Sequence, residues 1–215
     1  MITLCGFAVS NYFNIVKQVL LEKQIPYNEE RAMTRSKDEA VLSASPLGKV
    51  PFIRTPQGPL CETPVILDYL EAQFPAHPLL PDDAYAAAKV RELSTFINLH
   101  LELVARELYP AVFFGGSISD AHKEQNRKQL VRNIEGFKRL VKFAPYVAGD
   151  SFTLADCVAY NNLPLVGMAS KAAFGEDLLL GAGVDYKPYI KLVGERASSQ
   201  QVAAERKAEM ARPKD

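Results

Sequence analysis

The sequence predicts an α+β chain of two domains, the first with the element order βαβαββα and the second all-helical. Three observations carry this reading. Strand and helix signals alternate from residue 1 to about residue 76, whereas every substantial segment from about residue 82 onward has helical period. Between them, FPAHPLLPDD places three prolines at Pro75, Pro78 and Pro81, which suits an extended connector and is incompatible with helix interior. The domains are therefore read as 1–76 and 82–215, with 77–81 as the linker.

Ile2, Leu4 and Cys5 form a short buried strand, and Ile15, Val16, Val19 and Leu20 then fall at helical spacing until Lys23-Gln24, just ahead of Pro26. A second strand follows at Tyr27 to Arg31, then a short helix near Lys37 to Ser43. VPFIRT and GPLCE, separated by Pro56-Gln57-Gly58, read as a β-hairpin. The next helix starts at Thr63 as its cap, with Pro64 at the first helical position, where a missing N–H costs nothing. Beyond the linker, Val90, Leu93, Ile97, Leu101, Val104 and Leu108 step by three or four, as do Leu130, Ile134, Phe137 and Val141; these are two long amphipathic helices joined near GGSISD. Further helices are expected from SFTLADCV, near Lys187 to Arg196 and near Ser199 to Met210, with Gly181-Ala182-Gly183 as a loop.

A chain of 215 residues is long enough to bury a real core. Hydrophobic residues make up 48% and charged residues 23%, and 25 basic side chains balance 25 acidic ones, so the composition carries neither a disorder signature nor a global field for nucleic acid or an anionic membrane. A small partner fits better. Cys5, Cys61 and Cys157 lie far apart in apolar contexts without a CxxC pair, against both a disulfide framework and a zinc site. The start MITLCGFAVS has neither a basic leader nor a signal-peptide apolar core, and no run approaches the roughly 20 apolar residues of a membrane span. The expectation is a soluble cytoplasmic protein without metal.

Three motifs carry chemistry. Val50-Pro51 opens the hairpin's first strand, where proline is tolerated; a cis bond there would turn the Val50 N–H and C=O out of the sheet toward a peptide-like ligand, and the plainer alternative is an ordinary strand-start proline. Glu62-Thr63 stands at a strand-to-helix junction, where free amides favour a carboxylate and Glu62 offers an acceptor for an ammonium group; otherwise Thr63 is only a cap. Thr153-x-x-Asp156 is a capping box whose role is structural.

Taken in order, Gly6-x-x-x-Ser10, Lys49-Val50-Pro51, Glu62-Thr63, the HPLLP linker and GDSFTLAD resemble the cytosolic glutathione transferases over nearly the full chain. The resemblance implies a thioredoxin-like N-terminal domain, a helical C-terminal domain, a homodimer, glutathione as co-substrate and a role in detoxification. By position, Val50 beside the family's cis-proline Pro51 would hold the cysteinyl unit of glutathione, Glu62 and Thr63 its γ-glutamyl group, and Lys49 and Lys37 its glycine carboxylate. Phe7 stands where the tyrosine-using classes place their hydroxyl, and Ser10 where the theta-, zeta- and tau-like serine classes place theirs, with Asn11 and Tyr12 as alternative donors.

The magnitudes suffice for serine. A thiol of reference pKa near 8.5 is mostly protonated at neutral pH, and lowering that value by about two units requires roughly 2.7 kcal/mol in favour of the thiolate. A hydrogen bond to a charged group supplies about 1.5–3 kcal/mol and a helix N-terminus about 0.3–1 kcal/mol. The competing role for Ser10 is a plain N-cap, although Phe13 stands where a reciprocal capping box would want Glu or Gln. A pocket for a small hydrophobic electrophile is expected between the domains, drawing on Tyr12, Phe13, His100, Val104 and Tyr109. Two rival functions remain at this point: a transferase-like binding or regulatory protein without turnover, and a cysteine-using thiol-disulfide reductase, which the serine at position 10 disfavours.

Overall fold

The computed structural model describes residues 1–212, and the chain divides into two compact units: Met1–Leu79 together with the residues from Gly194 onward, and Leu80–Val193. In the first unit the elements are β1 (Ile2–Gly6), α1 (Asn11–Glu22), β2 (Tyr27–Arg31), α2 (Glu39–Leu42), β3 (Phe52–Thr55), β4 (Gly58–Cys61) and α3 (Thr63–Gln73), which is the βαβαββα order. The sheet runs β2-β1-β3-β4, with β1 parallel to β2, β3 antiparallel to β1 and β4 antiparallel to β3. Ile15, Val16, Val19 and Leu20 of α1 are fully buried, each worth about 2 kcal/mol of apolar transfer, and α1 packs against α3.

The second unit is helical: α4 (Ala84–Phe96), a π-helical segment (Ile97–Glu102), α5 (Leu103–Arg106), α6 (Tyr109–Phe113), α7 (Asp120–Phe137), α8 (Leu154–Phe174), α9 (Leu178–Gly181) and α10 (Lys187–Gly194). Its core contains Leu93, Ile97, Leu101, Leu130, Ile134, Phe137 and Leu163. The expected single helix from Val90 to Leu108 is thus interrupted. In the π-helical segment the Leu103 N–H reaches back to the Asn98 carbonyl, and the segment turns the polar Asn98 and Glu102 inward, where they bond Asn162, and Arg106 and Tyr109. Apolar spacing alone carries no signal for buried polar groups of this kind. The loop expected at Gly181-Ala182-Gly183 follows directly on the short helix α9, which ends at Gly181 and is opened by Asp177, whose side chain accepts from the Leu179 and Leu180 amides.

The last helix, α11 (Ala197–Met210), packs with the first unit, although the sequence reading groups it with the residues from 82 onward. Polar contacts join it and the residues just before it to α1 and β2. Buried Lys17 pairs with Glu29 and Glu205, Gln18 bonds Ser199 at 2.9 Å, Arg196 and Ser198 grip Glu22, and Arg31 pairs with Glu209. Hydrophobic periodicity is blind to such ion pairs. No described helix is long and apolar enough to cross a membrane.

Candidate active site

The sheet register gathers the candidate residues at one end of the first unit. Cys5 pairs with Phe52, and Phe52 with Cys61, so Gly6 leaving β1, Val50-Pro51 entering β3 and Glu62-Thr63 leaving β4 emerge on the same side. Gly6 permits this convergence: at φ 153° a Cβ there would lie 2.5 Å from the Phe13 ring and 3.3 Å from Val50 Cβ.

After Gly6 the chain turns at Phe7–Ser10, closed by the Ser10 N–H donating to the Phe7 carbonyl at 3.1 Å, and delivers Ser10 to the N-cap of α1. Ser10 is half-buried, and its Oγ accepts from the Phe13 N–H at 3.3 Å. The hydroxyl is therefore a cap, and its proton has no acceptor among the described residues. A hydroxyl accepts and donates at once, so the capping bond leaves the donor function available. Asn11 is buried and Tyr12 half-buried.

The Val50–Pro51 bond is cis, and the β3 ladder begins only at Phe52, so Val50 lies outside it. Glu62 rather than Thr63 occupies the N-cap of α3. This corrects the sequence expectation: the helix begins at Thr63 as its first residue, with Pro64 second, and the Glu62 side chain makes no capping bond. Glu62 adopts φ 66°, a left-handed conformation that costs a non-glycine residue about 1–2 kcal/mol. It is exposed, while Thr63 beside it is buried. Lys37 and Lys49 are both exposed, on segments tied together by the Arg35 N–H donating to the Gly48 carbonyl at 2.7 Å.

Of the residues expected around a second substrate, Phe13, Val104 and Tyr109 are buried, the last with its hydroxyl 3.2 Å from Glu102 Oε1. His100 is exposed, its ring 4.8 Å from that of Phe96. The Cys5 thiol is fully buried, and burial, with a further contribution from Glu30, pushes its pKa up to about 11, which leaves it inert as a nucleophile at neutral pH. Among the described residues no cluster of His, Cys, Asp or Glu is suited to hold a metal ion.

Sequence reasoning passed over Asn14. Its side chain has no exposed surface, and its Nδ2 donates to the Ala8 carbonyl at 2.8 Å, inside the turn that carries Ser10. The available signal was a polar residue set directly beside the apolar stripe Ile15, Val16, Val19 and Leu20.

Residues 4–78 match the family described as glutathione S-transferase, N-terminal domain. A glutathione S-transferase from Pseudomonas putida is 40% identical over 213 residues, 98% of this chain and 94% of that protein. The chain belongs to the glutathione S-transferase family. A more distant relative, a stringent starvation protein A homolog from Pasteurella multocida, is 27% identical over 88% of this chain and 84% of its own. Among solved structures, a glutathione S-transferase from Methylobacterium radiotolerans in complex with glutathione sulfonate superposes with a TM-score of 0.74 at 22% identity, covering 94% of this chain and 93% of that one, a likeness of fold. The glutathione S-transferase fold accounts for both the mixed four-stranded sheet with its helices and the helical unit that follows it.

Proposed function

We propose that this transferase binds glutathione at the sheet end where Gly6, Val50-Pro51 and Glu62-Thr63 converge, and that the Ser10 hydroxyl donates a hydrogen bond to the bound sulfur and stabilises the thiolate. The observation that carries the reading is the state of Ser10: a half-buried hydroxyl at a helix N-terminus, engaged as an acceptor and with its proton uncommitted among the described residues. Val50, outside the ladder, supplies backbone groups for the cysteinyl unit. Glu62 accepts from the γ-glutamyl ammonium, and Thr63, with the first amides of α3, receives the γ-glutamyl carboxylate. Lys49 and Lys37 serve the glycine carboxylate.

The thiolate then attacks an electrophilic carbon of a small hydrophobic compound and forms a thioether as the leaving group departs with the bonding pair. With a hydroperoxide the same thiolate attacks oxygen; a second glutathione completes the disulfide, and alcohol and water are released. Tyr12, Phe13, His100, Val104 and Tyr109 are the residues proposed for the electrophile. Cytoplasmic detoxification by a homodimer, without a metal, nucleic acid or membrane partner, completes the proposal.

The test is retention on immobilised glutathione together with conjugation of a generic chlorinated aromatic electrophile. Retention with turnover supports the enzyme reading. Retention without turnover on chlorinated aromatics or hydroperoxides overturns it in favour of a binding or regulatory protein.

A further inference from the structure

The geometry points to Asn14 as a positioning residue for Ser10, an assignment that rests on the thiolate-stabilising role proposed above. Four hydrogen bonds fix the turn ahead of α1. The Ser10 N–H donates to the Phe7 carbonyl at 3.1 Å and the Ser10 carbonyl accepts from the Asn14 N–H at 3.0 Å. The Ser10 Oγ accepts from the Phe13 N–H at 3.3 Å, and the Asn14 Nδ2 donates to the Ala8 carbonyl at 2.8 Å. The first three belong to the backbone turn and the cap, and would form with many residues at position 14. Only the fourth depends on the side chain at position 14, and it spans six residues to clasp the peptide two positions before the hydroxyl.

The cost of this clasp argues that it serves more than folding. Asn14 has no exposed surface, and its Oδ1 has no hydrogen-bond partner among the described residues. A buried unpaired carbonyl is destabilising, and an apolar side chain of the same size would avoid it. What leucine cannot do is hold the Ala8 carbonyl. Asn14 sets the direction from which the Ser10 hydroxyl approaches the sulfur, and because it touches neither sulfur nor substrate it acts only through Ser10. Misplacement of a reacting group by about 1 Å costs up to about a hundredfold in rate, so a modest loosening of the turn is enough to matter.

The experiment follows the ultraviolet absorbance of bound glutathione thiolate against pH, with kcat, KM for glutathione and thermal melting measured alongside, in the wild type, Asn14→Leu, Ser10→Ala and the double variant. The expected result is that Asn14→Leu melts cooperatively, raises the pH midpoint of thiolate formation by about half a unit to one unit and lowers kcat by about tenfold, with KM for glutathione within about threefold. In the Ser10→Ala background it adds little, because both substitutions remove one interaction. Should the leucine variant not fold, Asn14→Asp keeps the size, loses the donor and carries the same expectation. A wild-type midpoint and kcat in the Asn14 variant overturns the assignment while leaving Ser10 in place, and so does a full, additive loss in the Ser10→Ala background. An unchanged midpoint in Ser10→Ala alone overturns the thiolate role itself.

Discussion

Among the described helices that carry a hydroxyl residue at the N-cap, α8 and α1 have beginnings built for different ends. At α8, Thr153 stands at the N-cap and Asp156 three residues on. One carboxylate oxygen of Asp156 accepts from the Thr153 N–H at 2.7 Å and from its hydroxyl at 3.1 Å; the other accepts from the Val147 N–H and the Tyr189 hydroxyl, both at 2.9 Å. Asp156 has no exposed surface. At α1, Ser10 stands at the N-cap, the position three residues on is Phe13, and the first turn has no acidic residue. Its hydroxyl makes a single bond at 3.3 Å and remains half-exposed. A saturated cap spends every group on the fold, whereas an unsaturated one keeps a donor, several amides and the positive end of a helix turned toward a ligand. The difference lies in the third residue after the cap, an aspartate in one case and a phenylalanine in the other.

The largest expected effect comes from breaking the closed cap. Asp156→Ala leaves two amides and two hydroxyls without their acceptor and should destabilise the protein by about 3 kcal/mol or more, read from thermal or denaturant melts. Ser10→Ala, the matching change at the open cap, should cost only about 1 kcal/mol of stability while the conjugation rate falls by about tenfold or more. If the two substitutions act on stability and rate alike, the contrast between the caps is lost.

Ser10→Asp sharpens it further. The carboxylate is at least as good an N-cap acceptor and adds charge favourable to the dipole, so stability should stay within about 1 kcal/mol of the wild type. It has no proton to donate and repels a thiolate, so conjugation at neutral pH should fall below that of Ser10→Ala.

The smallest effect belongs to the other end of α1. Burial pushes the Glu22 carboxyl up, but the Arg196 and Ser198 hydrogen bonds outweigh it and hold its pKa below the usual carboxylate range. A depressed folded value means that the contribution is fully present above the unfolded pKa of about 4.3 and is lost as pH falls through the folded value. Acid melts of the wild type should therefore lose stability below about pH 4, and Glu22→Gln should flatten that part of the profile. An identical slope in the variant would remove Glu22 from the account.

Much of this was legible in the sequence, for reasons visible at individual residues. The strand Tyr27–Arg31 and the hairpin around Pro56-Gln57-Gly58 follow from turn chemistry and apolar runs, and the capping box at Thr153 is a local pattern of two residues. What escaped is polar and buried: Lys17 between Glu29 and Glu205, Asn98 and Glu102 in the π-helical segment, and Asn14 behind the Ser10 turn. Each looks like a surface residue until its partner, up to 188 positions away, is known. The same blindness hid the attachment of α11 to the first unit. Around the candidate site, the register that brings Gly6, Val50-Pro51 and Glu62-Thr63 to one sheet end depends on pairing between strands, which no single segment encodes.

The central claim is that the open cap at Ser10 is a thiolate donor. It is tested most directly by titrating the absorbance of the bound glutathione thiolate in the wild type and in Ser10→Ala. The midpoint should rise by about one to two pH units in the variant, the equivalent of one charge-assisted hydrogen bond, with glutathione affinity largely retained. An unchanged midpoint in a folded, glutathione-binding Ser10→Ala protein would contradict it.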